Sequence, residues 1–159
     1  LLNGLNANYF IQETKYEPNN LHYLLMLGFN RSNHAITSQT GKWELLPGQP
    51  KILEFLLEHN GCTQKEISRG CALDKSTVTS LLSRMEAKVL LTRCPAEGDR
   101  RHVQVFLTES GAHWATRTIE ICAQVDRKAT EGLSPEELQN FLTTFQKILN
   151  NLETLEEFL

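Results

Sequence analysis

Apolar residues recur at every third or fourth position along most of this chain, and in one short stretch they alternate with polar residues instead. From Asn20, a residue suited to N-capping, Leu21, Leu24, Leu25 and Phe29 predict a helix to about Thr40, where Gly41 stops it. Leu46-Pro47-Gly48 breaks the chain, and Ile52, Leu53, Phe55, Leu56 and Leu57 predict a second helix ending at Asn60-Gly61. Thr63-Gln64-Lys65-Glu66 has the form of a capping box, in which hydroxyl and carboxylate each satisfy the other residue's backbone N–H. It predicts a short helix from about Gln64 to Arg69. After Gly70-Cys71-Ala72-Leu73, Asp74 is placed to cap a further helix with Val78, Leu81, Leu82, Met85 and Val89 on its inner side. Two short helices joined by a tight turn form a helix-turn-helix. The outer side of its second helix carries Lys75, Ser76, Thr77, Thr79, Ser80, Ser83 and Arg84, a short, hydrogen-bonding and basic set.

Beyond this the period falls to two. Leu90–Cys94 and Val103–Leu107 read as strands connected by Pro95–His102, a hairpin whose tip holds Asp99, Arg100 and Arg101. A helix-turn-helix followed by such a hairpin is a winged helix. Thr108 then opens a long helix through Trp114, Ile119, Ile121, Cys122 and Val125 to about Glu131-Gly132. Ser134-Pro135-Glu136-Glu137 is a second capping box, with Pro where a missing N–H does no harm. The last helix sets Leu138, Phe141, Phe145, Ile148, Leu152 and Leu155 in a seam of threes and fours. Such a seam is buried in the chain's own core or pairs with another copy, and its position outside the winged part favours a homodimer. The expected fold is mainly α with a small β-hairpin wing, a winged helix-turn-helix joined to a helical dimerisation region. Its expected parts are an N-terminal extension and first dimerisation helix (1–45), the DNA-binding winged helix (46–108) and the C-terminal dimerisation helices (109–159).

Composition narrows the function. With 159 residues, 40% apolar and 22% charged, the chain is too apolar to be disordered, and no stretch between charges is apolar enough to span a bilayer. No membrane partner is expected. There is no initiating Met and no basic-then-apolar leader, so a cytoplasmic location is expected. The net charge of −3 hides a segregation. Residues 62–108 carry eight Lys/Arg against five Asp/Glu, whereas residues 109–159 carry four against nine. A phosphate backbone responds to local rather than total charge, so a basic working surface on an acidic scaffold is expected. The four cysteines form no C-x-x-C pair and read as reduced thiols, mostly buried, with Cys94 beside Arg93 the one to test for oxidant sensing. No nucleotide-binding, hydrolase or zinc-protease motif occurs, and the five histidines are scattered. No enzyme activity, cofactor or metal is expected.

Small hydroxyl donors near a helix N-terminus suit phosphate and base contacts, and Ser76, Thr77, Thr79 and Ser80 supply them with Lys75 and Arg84 alongside. At the wing, Arg100 and Arg101 are suited to the negative potential of a minor groove, with Asp99 placed to orient one of them. Polar Asn33 and His34, with Trp43 and Trp114 at the region boundaries, are candidates for holding a small aromatic ligand.

The ordered set Leu73-Asp74-Lys75-Ser76-Thr77-Val78-Thr79, Leu81-Leu82-Ser83-Arg84-Met85-Glu86, Gly98-Asp99-Arg100-Arg101 and Leu107-Thr108-Glu109-Ser110-Gly111 resembles the multiple-antibiotic-resistance regulator (MarR) family, over residues 20 to 152. The resemblance implies a dimeric winged-helix transcription factor, usually a repressor, whose DNA affinity falls on binding an aromatic or phenolic ligand or on oxidation. It implies major-groove contacts from Ser76, Thr77, Thr79 and Arg84 and a wing formed by Asp99, Arg100 and Arg101. Two positions depart from the pattern. Ser80 stands where many relatives have Arg, and Val89 replaces the Gly that commonly ends the recognition helix. The expected function is a sequence-specific regulator that binds a pseudo-palindromic site in double-stranded DNA as a homodimer. The rival is a winged-helix protein-interaction or dimerisation module without DNA binding, which has no need of Arg84, Arg100 and Arg101.

Overall fold

The computed structural model describes residues 20–96 and 99–156, apart from the side chains of residues 96–102, 155 and 156. The chain divides into two compact units, Leu1–His34 and Ala35–Leu159. Helix α1 (Leu21–Thr40) begins at the expected cap, where the Asn20 Oδ1 accepts from the Tyr23 N–H at 2.9 Å. A 3-10 turn, Gly41–Trp43, follows. Then come α2 (Gln49–Glu58), β1 (Cys62–Thr63), α3 (Gln64–Gly70), α4 (Lys75–Ala87), β2 (Leu91–Ala96), β3 (Asp99–Leu107), α5 (Glu109–Ala129) and α6 (Pro135–Glu156). The three strands form one antiparallel sheet in the order β1-β3-β2. The winged helix read from the sequence is therefore the observed fold.

The sheet differs from the sequence reading in two ways. Its hairpin is longer, because Ala96 pairs with Asp99 beyond an irregularity at Pro95/Ala96, and backbone pairing continues into polar residues that carry no alternation. Its third strand, β1, pairs Cys62 with Val105 and Thr63 with Gln104. Two residues are too few to show a period.

The core lies where the winged part meets α5. Ile52, Leu53 and Leu56 of α2, Ile67 of α3, Val78, Leu82 and Met85 of α4, and Leu91 and Val105 of the sheet are buried together with Ala115 of α5. Each large aliphatic side chain removed from water in this way contributes about 1.5–3 kcal/mol. No residue of α6 whose side chain is described is buried. Within its seam, Leu138, Phe145 and Ile148 are half-buried, Phe141 and Leu152 are exposed, and the side chain of Leu155 lies outside the described residues. The described part of the seam is not packed into the core of this chain.

Val89 departs most from expectation. It does not lie on the inner face of α4: it is 64% exposed and adopts a left-handed conformation with φ 57°. The reason is the helix end. The Leu90 N–H donates to the Met85 carbonyl and the Val89 N–H to the Glu86 carbonyl, both at 2.9 Å, the paired bonds of a Schellman motif. That motif requires a left-handed residue at position 89, and the chain meets the requirement with a β-branched one. The chain then enters β2, and after the hairpin it returns to this corner at the start of α5. The Val89 carbonyl accepts from the Thr108 hydroxyl at 2.6 Å, and the Leu90 carbonyl accepts from the Thr108 N–H at 3.1 Å. Gly111 completes the joint, since a Cβ there would sit 1.8 Å from the Leu90 carbonyl oxygen.

These geometries predict opposite outcomes for two substitutions. A left-handed residue bearing a Cβ is strained by about 1–2 kcal/mol, while glycine loosens the unfolded chain by about 0.4–1 kcal/mol, so Val89→Gly should raise stability by roughly 0.5–1 kcal/mol. Gly111→Ala should lower it by roughly 3 kcal/mol, because backbone must move to admit the methyl group. Denaturant midpoints of the two variants check both, and a less stable Val89→Gly protein would contradict the strain argument.

Candidate nucleic-acid interface

The helix-turn-helix is built from reciprocal caps. Thr63 Oγ1 accepts from the Glu66 N–H at 3.3 Å, and Glu66 Oε2 accepts from the Thr63 N–H and hydroxyl, each at 2.7 Å, which holds the Glu66 carboxyl below its usual range. In the turn, the Leu73 N–H donates to the Ser68 carbonyl at 3.0 Å, and Ala72 is left-handed with φ 49°. Asp74 caps α4 by accepting from the Thr77 N–H at 2.8 Å and from the hydroxyls of Ser76 and Thr77. Those hydroxyl and amide donors hold its carboxyl far below the ordinary aspartate range. The other end of α4 is tied down as well. Arg93 of β2 donates through Nε and Nη2 to Glu86, and Lys88 reaches the Glu44 carbonyl at 2.7 Å.

Between these anchors, α4 presents Lys75, Ser76, Thr79, Ser80, Ser83 and Arg84 to solvent, while Thr77 is half-buried beside Asp74. Most of the hydroxyls are already engaged. Ser76 and Thr77 donate to Asp74, Thr79 donates to the Lys75 carbonyl at 2.7 Å, and Ser83 donates to the Thr79 carbonyl at 3.0 Å. Among the described residues, Ser80 has no hydrogen-bond partner. The sequence reading treated these hydroxyls alike as donors, and the structure separates Ser80 from the others. A similar division holds for the cations. Arg69 pairs with Glu153, Lys88 with Glu44 and Arg93 with Glu86, whereas Lys75, Arg84 and Lys65 have no acidic partner among the described residues. Lys65 was missed in sequence because it lies inside the capping box, where the pattern accounts only for its neighbours.

Asp99, Arg100 and Arg101 lie on β3, and their side chains fall outside the described residues. Of the candidate ligand residues, Asn33 and His34 belong to the first unit, the former half-buried and the latter exposed. Trp43 and Trp114, in the second, come together with ring centroids 4.9 Å apart and pack against the core, and Arg117 lies 5.6 Å from the Trp43 ring centroid. All four cysteines are free thiols. Burial pushes Cys62, Cys71 and Cys122 up to about 11, and Cys94 is the exposed one. No group of three His, Cys, Asp or Glu side chains suited to a metal occurs among the described residues. Nor is any helix among them long and apolar enough to cross a membrane.

Residues 44–102, from the turn before α2 to the wing, match the model of the MarR family. Over 110 residues the chain is 33% identical to the organic hydroperoxide resistance transcriptional regulator of Bacillus subtilis, a match covering 68% of this chain and 71% of that one. The chain belongs to the MarR family. It is also similar to the transcriptional repressor NicR of Pseudomonas putida, at 28% identity over 131 residues, 82% of this chain and 83% of NicR. In fold it is similar to a MarR-family regulator from Listeria monocytogenes solved in complex with 26mer DNA, with a TM-score of 0.80 at 16% identity, covering 84% of this chain and 89% of that one. As a MarR-family protein it is a transcriptional regulator on a winged-helix fold, and the family is not one of enzymes.

The Asp74 cap gives a pH signature. Its lowered folded-state pKa contributes stability that is complete above the unfolded value of about 3.9 and is lost as pH falls toward the folded value. Asp74→Asn keeps an acceptor but cannot ionise. Wild type should therefore exceed it in stability by a constant margin above about pH 4, and the margin should shrink below that. Thermal midpoints of both proteins between pH 2 and pH 7 check this, and a margin independent of pH would contradict it.

Proposed function

We propose that this protein binds a pseudo-palindromic site in double-stranded DNA as a homodimer and represses transcription by occluding a promoter. Residues 46–108 are assigned to DNA binding and the helices of 1–45 and 109–159 to dimerisation. The observation that carries the reading is the face of α4. Both ends of the helix are anchored, and between them Lys75, Ser80 and Arg84 are exposed and uncommitted. Charged groups held on a fixed helix without acidic partners are what a phosphate backbone and base edges require. Ser76, Thr77 and Thr79 complete the major-groove set, and Asp99, Arg100 and Arg101 are assigned to the wing. The free thiols fit the reducing cytoplasm.

Dimerisation rests on α6, where Phe141 is 57% exposed and Leu142 50%, with the Phe141 and Phe145 rings stacked at 5.5 Å. Leu138, Ile148, Leu152 and Leu155 extend the same seam. A row of large apolar side chains left in water is stabilised by a second copy. Ligand control is assigned to a small aromatic acid held near Trp43 and Trp114. Such a ligand changes DNA affinity only by its differential affinity for the two states of the dimer, and a tenfold effect requires about 1.4 kcal/mol.

Arg84→Ala should lower affinity for a duplex selected from a random pool by about 1–3 kcal/mol if Arg84 meets a base edge, with relaxed preference at one position. A phosphate contact would instead weaken all sequences and flatten the salt slope by about one. Unchanged affinity in both Arg84→Ala and Arg101→Ala would favour the interaction module without DNA binding. Phe145→Ala should shift the dimer toward monomer, since truncating a fully buried Phe costs about 3–5 kcal/mol. Sedimentation at micromolar concentration measures this, and a monomeric wild-type protein would contradict the two-half-site reading.

A further inference from the structure

The hydroxyl of Thr79 is occupied from two directions. Its hydrogen is donated to the Lys75 carbonyl at 2.7 Å, the turn below it on α4. Its oxygen accepts from Nε2 of Gln64, the first residue of α3, which also donates to the Lys75 carbonyl at 3.3 Å. The two NH₂ hydrogens of Gln64 thus reach two acceptors on the first two turns of α4. Back-bonding to the carbonyl four residues earlier selects one of the rotamers open to a helical threonine. The Gln64 contact favours that choice, because rotating the hydroxyl away would break its hydrogen bond to the amide. Thr79 is exposed, and with its oxygen engaged by α3 and by the backbone, its γ-methyl is the group left to face a partner.

We infer that Thr79 is an apolar reader that selects the 5-methyl group of a thymine in the major groove, and that Gln64 is the positioning residue that makes it so. The inference rests on the DNA-binding reading above and adds to it a particular base chemistry. In the major groove thymine is distinguished by its methyl group, and a threonine methyl is a suitable contact for it. A freely rotating threonine would offer its hydroxyl to any acceptor and discriminate poorly. The neighbouring Ser80, whose hydroxyl has no partner among the described residues, is the polar reader beside it.

The test is selection of binding sites from a random duplex pool with wild type, Thr79→Val, Thr79→Ser and Gln64→Ala, followed by affinity measurements on the wild-type site with each thymine replaced in turn by uracil. Thr79→Val keeps the methyl and should select the same site as wild type. Thr79→Ser should lose preference for thymine at one position in each half-site. Uracil there should weaken wild-type binding by about fourfold per half-site, the worth of burying one methyl group, and should leave Thr79→Ser unaffected. Gln64→Ala should broaden preference at that position alone, which a change in overall stability would not do. If Thr79→Val loses the preference while Thr79→Ser retains it, or if no uracil substitution weakens wild type, the inference is overturned and DNA binding stands. A pool in which wild type enriches no sequence overturns both.

Discussion

A methyl group at residue 111 would lie 1.8 Å from the Leu90 carbonyl oxygen, and the glycine there lets the first turn of α5 approach the end of α4 backbone to backbone. The rest of the working structure depends on this approach. Thr108 caps α5 by accepting from the Gly111 N–H at 3.0 Å and also donates to the Val89 carbonyl, so one threonine both starts the long helix and holds the end of the recognition helix. The left-handed Val89 turns the chain out of α4 toward β2. Glu86 and Lys88, near the same corner, are bound to Arg93 and Glu44. The position of α4 relative to α5 is thus set by backbone hydrogen bonds and close packing, whose geometry tolerates little adjustment.

That rigidity bears on recognition. A displacement of the first turn of α5 would act directly on the end of α4, because the two are hydrogen-bonded to each other. The side of α4 proposed to face DNA is economical as well. Four of its five hydroxyls are engaged within the chain, which fixes their orientations and leaves Lys75, Ser80 and Arg84 as uncommitted polar groups. Fewer readers with fixed geometry favour shape and methyl contacts over a dense hydrogen-bond code.

Much of this was legible in the sequence where a local chemical rule has only one solution. The caps at Asn20, Thr63, Asp74, Thr108 and Ser134 all form, because each pairs a short polar side chain with amides that nothing else satisfies. The inward residues Val78, Leu81, Leu82 and Met85 are buried as their spacing requires. Val89 misled because one further step of the same period points inward, whereas the Schellman closure had already turned the chain outward. Strand β1 escaped notice since two residues carry no alternation. The Gln64–Thr79 contact spans fifteen residues and depends on the angle between two helices, which no local pattern encodes. Uncommitted charges were equally hidden, since a lysine in sequence looks the same whether or not an acid stands beside it in space.

The central claim is that two copies of the α4 face read DNA together. Hydroxyl-radical footprinting on a duplex selected by the wild-type protein measures this most directly. The account predicts two symmetric protected patches whose centres lie about one helical turn apart, roughly 34 Å, both lost in the Arg84→Ala protein at concentrations that saturate wild type. A single patch, or protection that survives removal of Arg84 and Lys75 together, would contradict it.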